Sequence, residues 1–296
     1  MQNNYSYGYQ KRFLLELAEK YPFLTVEGVG RSRLGRSIFA VNYGNTQGGV
    51  LYAGGFHGAE WLTCMCLLQF TEKIAESINK NEALCDREFY SLINKRGICI
   101  IPCVNPDGVE IAMRGAESGG KRQREIETVM KNNPNQVWSA NAAGVDINHN
   151  FNAGREEIKR IELSNGITGP SPRRFCGAYA ESEPETRTIA NLCRHKAFAQ
   201  AMALHSQGEE IYWKYGKHTP ECSYSMAKVL AELSGYTLVE NRSLASHGGF
   251  KDWFIDELHK PAFTIEIGKG KNPLPEAMVA EIMKRIEKML VEFAFM

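Results

Sequence analysis

Nowhere do the 296 residues string together the roughly 18 consecutive apolar positions that a membrane-spanning helix needs. The opening stretch, MQNNYSYGYQKRFLLELAEKYPFL, turns charged and amphipathic at once and has no apolar core of a signal peptide. The expected location is therefore the cytoplasm, with no membrane partner. Excess charge of one sign is missing as well: 35 lysines and arginines face 34 acidic residues, a formal net charge of +1. Without a basic field there is little to draw nucleic acid, which is not an expected partner either. The eight cysteines include no Cys-x-x-Cys pair, which argues against a cysteine zinc site. Cys64, Cys66, Cys99, Cys103, Cys176 and Cys193 mostly lie in apolar runs, as small buried hydrophobes do. A chain this long needs no disulfide staples, so they read as reduced core thiols. Repeats, low-complexity tracts and Pro/Ser linkers are absent too, and length alone allows one large α/β domain or two small ones.

What is present alternates between two periods. Phe13, Leu14, Leu17 and Ala18 are spaced for a helix over residues 9–20. TVEGVG, RSRLGRS and IFAVNYG then read as a hairpin with Gly35 in its turn. GVLYAGGF and ICIIPCVN are short buried strands, the second closed by the turn-former NPDG. A helix with one apolar face fits residues 60–79, while the polar stretch 114–140 suggests a long surface loop. In the second half, residues 183–193, 221–234 and 275–293 are helical, and AMALH and AFTIEIG are strands. Apolar strands alternating with helices predict an α/β sheet covered on both faces, with its chemistry at the strand ends.

The sharpest feature stands at such an end: Gly-Gly-Phe-His57-Gly-Ala-Glu60-Trp. A histidine and a glutamate three apart, between a strand and a helix, can turn both side chains toward one point. Imidazole nitrogen and carboxylate oxygen are zinc ligands, but two of them do not hold a catalytic ion. His205, directly after the apolar strand AMAL, offers the third. A His₂Glu set leaves a fourth position for water, as hydrolysis requires. The spacing alone is weak, since a His-x-x-Glu pair also serves as a structural helix start. His218-Thr-Pro-Glu221 repeats it with Pro220 inside and no strand before it, and reads as a loop entering a helix. Hydrolysis also needs a proton acceptor. Glu266 stands alone in the apolar strand AFTIEIG, where an unpaired carboxylate is costly to bury. It is either a salt-bridged strand residue or a carboxylate that faces the metal.

With these residues in hand, the chain resembles the zinc metallocarboxypeptidase family over most of its length. The similarity runs through Gly30 to Ile38, His57-x-x-Glu60-Trp61, Asn105-Pro-Asp-Gly108, Gly144-Val-Asp146-Ile-Asn148, His205-Ser206 and Thr264-Ile-Glu266. The resemblance implies one Zn²⁺ on His57, Glu60 and His205, with Glu266 as general base and later proton donor. It implies one domain over residues 1–296, a three-layer α/β/α sandwich around a mixed, mostly eight-stranded sheet. HSQGEEIYW (205–213), GGFKDWFI (248–255) and TIEIGKGKNPLP (264–275) are most similar to the bacterial γ-D-glutamyl–diamino acid peptidases. That branch implies a wall-derived peptide as substrate, cut by zinc-activated water. Asn148, His149, Ser206, Glu209, Glu210 and Tyr212 are the candidate substrate-binding residues.

Departures bear on specificity. Digestive-type members have arginine where His149 stands, and histidine cannot make the bidentate fork of a guanidinium. Ser139 falls where many bacterial members place an oxyanion-steadying Arg or Lys. Leu244 or His247 falls near the digestive-type tyrosine. Arg114, Arg122 and Arg124 are within the 114–140 loop and could reach in, but the sequence does not assign the replacement cation. Arg31, Arg33 and Arg36 read as surface charge, and His195 and His259 as parts of solvated faces. Tyr212 and Trp213 either line a pocket or pack the strand edge, and Asp252 caps or salt-bridges. Two other readings stay open. One is a zinc-dependent amide deacylase of the aspartoacylase or succinylglutamate-desuccinylase type, which shares the GGxHGxE opening. The other is a zinc-retaining protein that binds wall peptides without cutting them.

Overall fold

Strands buried at every position must be covered on both faces, and Val50–Ala53, Ile98–Ile101 and Gln200–His205 meet that demand inside one mixed sheet of eight strands. The computed structural model describes residues 6–240 and 247–296. Helix α1 (Tyr7–Lys20) leads into the hairpin β1 (Leu24–Arg31) and β2 (Ser37–Tyr43), whose turn holds Gly35 at φ 83°. Strand β3 (Val50–Ala53) feeds α2 (Trp61–Lys80), and α3 (Phe89–Ile93) precedes β4 (Ile98–Ile101). Helices α4 (Pro106–Arg114), α5 (Gln123–Asn132), α6 (Arg155–Ser164) and α7 (Pro184–Lys196) then lead to β5 (Gln200–His205) and β6 (Glu210–Tyr212). Last come α8 (Cys222–Ser234), β7 (Thr237–Val239), α9 (Phe250–Leu258), β8 (Ala262–Glu266) and α10 (Val279–Phe295).

The strand order is β1-β2-β4-β3-β5-β8-β6-β7. The central strands β4, β3, β5 and β8 run parallel; β1 meets β2, β2 meets β4 and β6 meets β8 antiparallel, and β7 runs parallel to β6. Alternation along β3 divides the core in two. Val50 and Tyr52 face the layer built from α2, α8 and α10, whereas Leu51 and Ala53 face α7 and α9. This is the expected three-layer sandwich. The eight cysteines are free thiols, and Cys222 is the exposed one. No described helix is long and apolar enough to cross a membrane.

Two sequence expectations give way. NPDG is not a turn closing β4 but the start of α4. The Asn105 side chain accepts from Gly108 N–H at 2.9 Å, Pro106 takes the first helical position and Asp107 the first turn. The polar stretch 114–140 is not a loop throughout: a 3₁₀ segment (Ala116–Arg122) and α5 occupy much of it. Ile126 from α5 packs with Ile111, Trp138 and Ala140 in a small core of its own. One apolar stripe on an otherwise polar helix was enough.

Candidate active site

The parallel pairing of β5 and β8 sets His205 directly beside Glu266, and the antiparallel pairing of β6 sets Glu210 on the other side of Glu266. Residues opposite one another in a ladder share a face, so these three side chains line one end of the sheet. His57 precedes the 3₁₀ turn Gly58–Glu60 that joins the end of β3 to α2. That turn is tight. A Cβ on Gly58 would lie 2.3 Å from the Gly108 carbonyl oxygen and 2.9 Å from that of Trp138.

His57, Glu60 and His205 form a group whose ligand atoms all lie within 4.8 Å of one another. His57 Nδ1 is 3.0 Å from Glu60 Oε1, His205 Nδ1 is 3.2 Å from Glu60 Oε2, and the two Nδ1 atoms are 3.3 Å apart. Tetrahedral ligands at roughly 2.0–2.1 Å from a zinc ion stand about 3.3 Å from one another, so the donors have the spacing that zinc requires. Their chemistry fits as well. His57 Nε2 lies 3.1 Å from Asp146 Oδ1, which holds the proton on Nε2 and leaves the Nδ1 lone pair toward the group. His205 is buried with its ring stacked on Phe56, and its Nε2 has no hydrogen-bond partner among the described residues. The atoms that converge on one another are the two Nδ1 atoms and the Glu60 carboxylate oxygens.

The surroundings polarise each member. Burial works against a charged His57, yet the Glu60 and Asp146 carboxylates outweigh it and lift its pKa well above the usual value. Burial also opposes ionisation of Glu60, but His57 and His205 prevail and bring it down to about 2. Asp146 is held well below the carboxylate range against its burial, chiefly by His57 and His149. His205 and His149 are both pushed down, mainly by burial. Glu266 moves the other way: burial, then the charges of Glu60 and Glu210, push it well above the usual range.

A cleft of about 630 Å³ opens over this group. Asn148, His149, Ser206, Glu210, Tyr212 and Glu266 all line it. Tyr212 donates its hydroxyl to Glu210 at 2.7 Å, and Asn148 Oδ1 accepts from Phe250 N–H at 2.9 Å. Ser206 donates its backbone N–H to Glu60 at 3.1 Å and its hydroxyl to Asn272 at 2.8 Å. Glu209 is placed elsewhere. Its carboxylate is tied to Arg285 and, at 3.0 Å, to Lys269, and it does not line the cleft. A left-handed φ of 56° at Glu209 rotates it away from its neighbour Glu210.

Other expectations resolve in the same way. Arg114 pairs with Glu110 and Arg122 with Glu125, and neither they nor Arg124 line the cleft. Arg33 and Arg36 are not free surface charges: they bind Glu183 and Asp107, each at 2.6 Å. His218 pairs with Asp256 at 3.0 Å, away from any ligand group, and Lys251 with Asp252 in the core. Trp213 packs on Tyr224. Leu244 lies outside the described residues, and the His247 ring meets the Tyr215 hydroxyl at 3.1 Å.

Sequence reasoning missed four residues. Asp146 was in view within a motif, without its role as the partner of His57. Asn272 sits 3.4 Å from Glu60 Oε1, and Arg173 and Arg174 line the cleft. All three occupy loops, where no periodicity marks a side chain, and the adjacent arginines of SPRRF were the one available signal.

Comparison with known proteins places this geometry in a family. The model described as "Zinc carboxypeptidase" matches residues 11–289. The uncharacterized protein YqgT of Bacillus subtilis (strain 168) is 36% identical over 263 residues, covering 88% of this chain and 69% of that protein. Gamma-D-glutamyl-L-diamino acid endopeptidase 1 of Lysinibacillus sphaericus is 31% identical over 275 residues, covering 93% of this chain and 68% of that protein. Among solved structures, bovine thrombin-activatable fibrinolysis inhibitor superposes with a TM-score of 0.74 at 19% identity, covering 98% of this chain and 96% of that one.

Proposed function

The chain belongs to the zinc carboxypeptidase family, and we propose that it hydrolyses the amide bond between γ-D-glutamate and a diamino acid in peptides derived from peptidoglycan. The observation that carries this reading is the likeness, along nearly the whole chain, to the Lysinibacillus sphaericus endopeptidase of that specificity. The cleft supports it. Glu210 offers a carboxylate to a substrate amine from the strand next to Glu266.

When bound by His57, Glu60 and His205, zinc supplies a Lewis acid and brings the pKa of water toward neutrality. The protein's own residues do the rest. Asp146 orients the His57 ring through Nε2. Ser206 N–H and Asn272 fix the Glu60 carboxylate. Glu266, adjacent to His205 in the sheet, accepts a proton from the attacking water on a carboxylate oxygen and returns it to the leaving amine. Burial pushes the Glu266 carboxyl up, and a zinc ion bound beside it would favour the ionised form that the first proton transfer needs.

The test compares kcat/KM of the zinc-loaded protein on a γ-D-glutamyl-diaminopimelate peptide and on a blocked dipeptide ending in phenylalanine. The diaminopimelate peptide is expected to be the better substrate by about tenfold or more, because phenylalanine lacks the side-chain amine that Glu210 can bind, and His149 itself makes no bidentate fork. Preference for the phenylalanine substrate would overturn the specificity and leave the family chemistry standing.

A further inference from the structure

Most cations near the catalytic end of the sheet are consumed by the fold. Arg36 binds Asp107, Lys159 binds Glu162 at 2.8 Å, and Arg155 donates to the carbonyls of Cys176 and Gly177 at 2.7 and 2.6 Å. Arg173 and Arg174 are different. Both line the cleft, both are exposed, and neither side chain makes an ion pair or hydrogen bond with any described residue.

Their backbone, in contrast, is anchored on both sides of the catalytic group. Pro172 O accepts from the N–H groups of Ser139 and Ala140, each at 2.8 Å, and Ser139 O accepts from Gly58 N–H at 2.9 Å, inside the turn between His57 and Glu60. Arg174 N–H donates to Asp146 Oδ2 at 2.9 Å, while Asp146 N–H donates to Phe175 O at 2.8 Å. Asp146 is the residue that also holds His57. Arg174 sits at φ 69°, a left-handed conformation that a residue with a side chain rarely adopts. These bonds hold the turn in that conformation, at a fixed position relative to the three histidine and glutamate ligands. Of the cleft carboxylates, Asp146 and Glu60 face His57, Glu210 faces Tyr212 and Glu162 pairs with Lys159, and none forms an ion pair with the Arg173 or Arg174 guanidinium.

We propose that Arg173 and Arg174 form the carboxylate-binding wall of this cleft, and that they select peptides carrying two carboxylates within a few bonds of the scissile amide. A guanidinium offers a carboxylate two parallel hydrogen bonds, and two adjacent guanidinium groups held by one rigid turn provide two such forks. Arg174, beside Asp146 and His149, takes the carboxylate nearest the Asn148 end. Arg173, following Pro172 beside Ser139, takes the second. A γ-linked glutamate leaves its α-carboxylate free next to the bond to be cut, and a diamino acid adds another. The inference thus deepens the peptidase reading above and rests on it.

The experiment takes whichever peptide the zinc-loaded protein cuts best and compares it with versions in which each carboxylate is amidated in turn. Wild type is expected to lose about tenfold or more in kcat/KM on amidation, chiefly through KM. Arg174→Gln and Arg173→Gln should each lose about as much on the acidic peptide while cutting one amidated form as well as wild type does, and Arg174→Lys should fall between. Lys271→Gln, which removes another unpaired cation of the cleft, should leave the discrimination in place. Binding of the same peptides to zinc-loaded Glu266→Gln protein, with and without Arg174→Gln, gives a second readout by calorimetry. If the arginine variants lose equally on acidic and amidated peptides, or if Lys271→Gln abolishes discrimination as fully as they do, the assignment is overturned. A best substrate other than a γ-D-glutamyl–diamino acid peptide overturns the substrate reading alone, because the amidation series is run on that substrate.

Discussion

Asp146 bears on the site from outside the three ligands. It receives His57 Nε2, Asn148 N–H and Arg174 N–H at 2.9–3.2 Å, so one carboxylate orients a ligand and shapes two walls of the cleft. Asp146→Asn is expected to lower zinc affinity about 10- to 100-fold, measured by competition with a chelator; unchanged affinity would mean that the His57 ring is fixed by packing alone. A second buried carboxyl, Glu185, gives a pH signature. Burial pushes it up to about 7 from the ordinary 4.5, although Arg33 N–H and Asn141 donate to it. A carboxyl that holds its proton more tightly folded than unfolded favours the native state below pH 4.5, and that contribution is lost as pH rises through 7. The loss amounts to about 3 kcal/mol. Glu185→Gln does not titrate, so the stability of wild type minus that of the variant should decline between pH 5 and 8. A difference that stays flat or grows, measured by denaturant unfolding, would contradict this.

At the scale of elements, the turn from β3 into α2 is the least tolerant piece of the site. Gly58→Ala would press a methyl group against the backbone carbonyls of Gly108 and Trp138, neither of which is a flexible side chain. Overpacking of this kind costs roughly 1–3 kcal/mol, and here it would also displace His57 relative to Glu60. Zinc affinity should therefore fall along with the denaturation midpoint, and a variant that binds zinc as wild type does would show that the turn can relax. The same turn shows what the sequence made legible. Strands β5 and β8 are short apolar runs that end in His205 and Glu266, and His57 follows β3 in the turn into α2, so the apolar runs placed all three at or just past strand ends. NPDG misled because turn-forming residues also make an N-cap, and only the Asn105–Gly108 bond distinguishes the two. Glu209 and Glu210 were indistinguishable in sequence, since one left-handed residue decides which of them faces the cleft. Arg173 and Arg174 reach the site through backbone bonds to Asp146 and Ser139 across the fold, and no local pattern encodes such a contact.

For the whole molecule, the two apolar layers on either side of the sheet hold the fold, and the ligand group sits at one edge of them. Chelation is accordingly expected to abolish hydrolysis while leaving the far-ultraviolet circular dichroism at 25 °C unchanged; unfolding on chelation would make the metal structural. The most direct measurement adds zinc back to chelated wild type and Glu266→Gln in parallel, following bound metal and hydrolysis of a γ-D-glutamyl-diaminopimelate peptide. Both proteins should take up one zinc ion. Wild-type activity should reach its plateau at that single equivalent, and the variant should remain about 10²- to 10⁴-fold less active. A zinc-loaded Glu266→Gln protein that cuts the peptide within a few-fold of wild type would contradict the account, as would wild-type activity that returns without zinc bound.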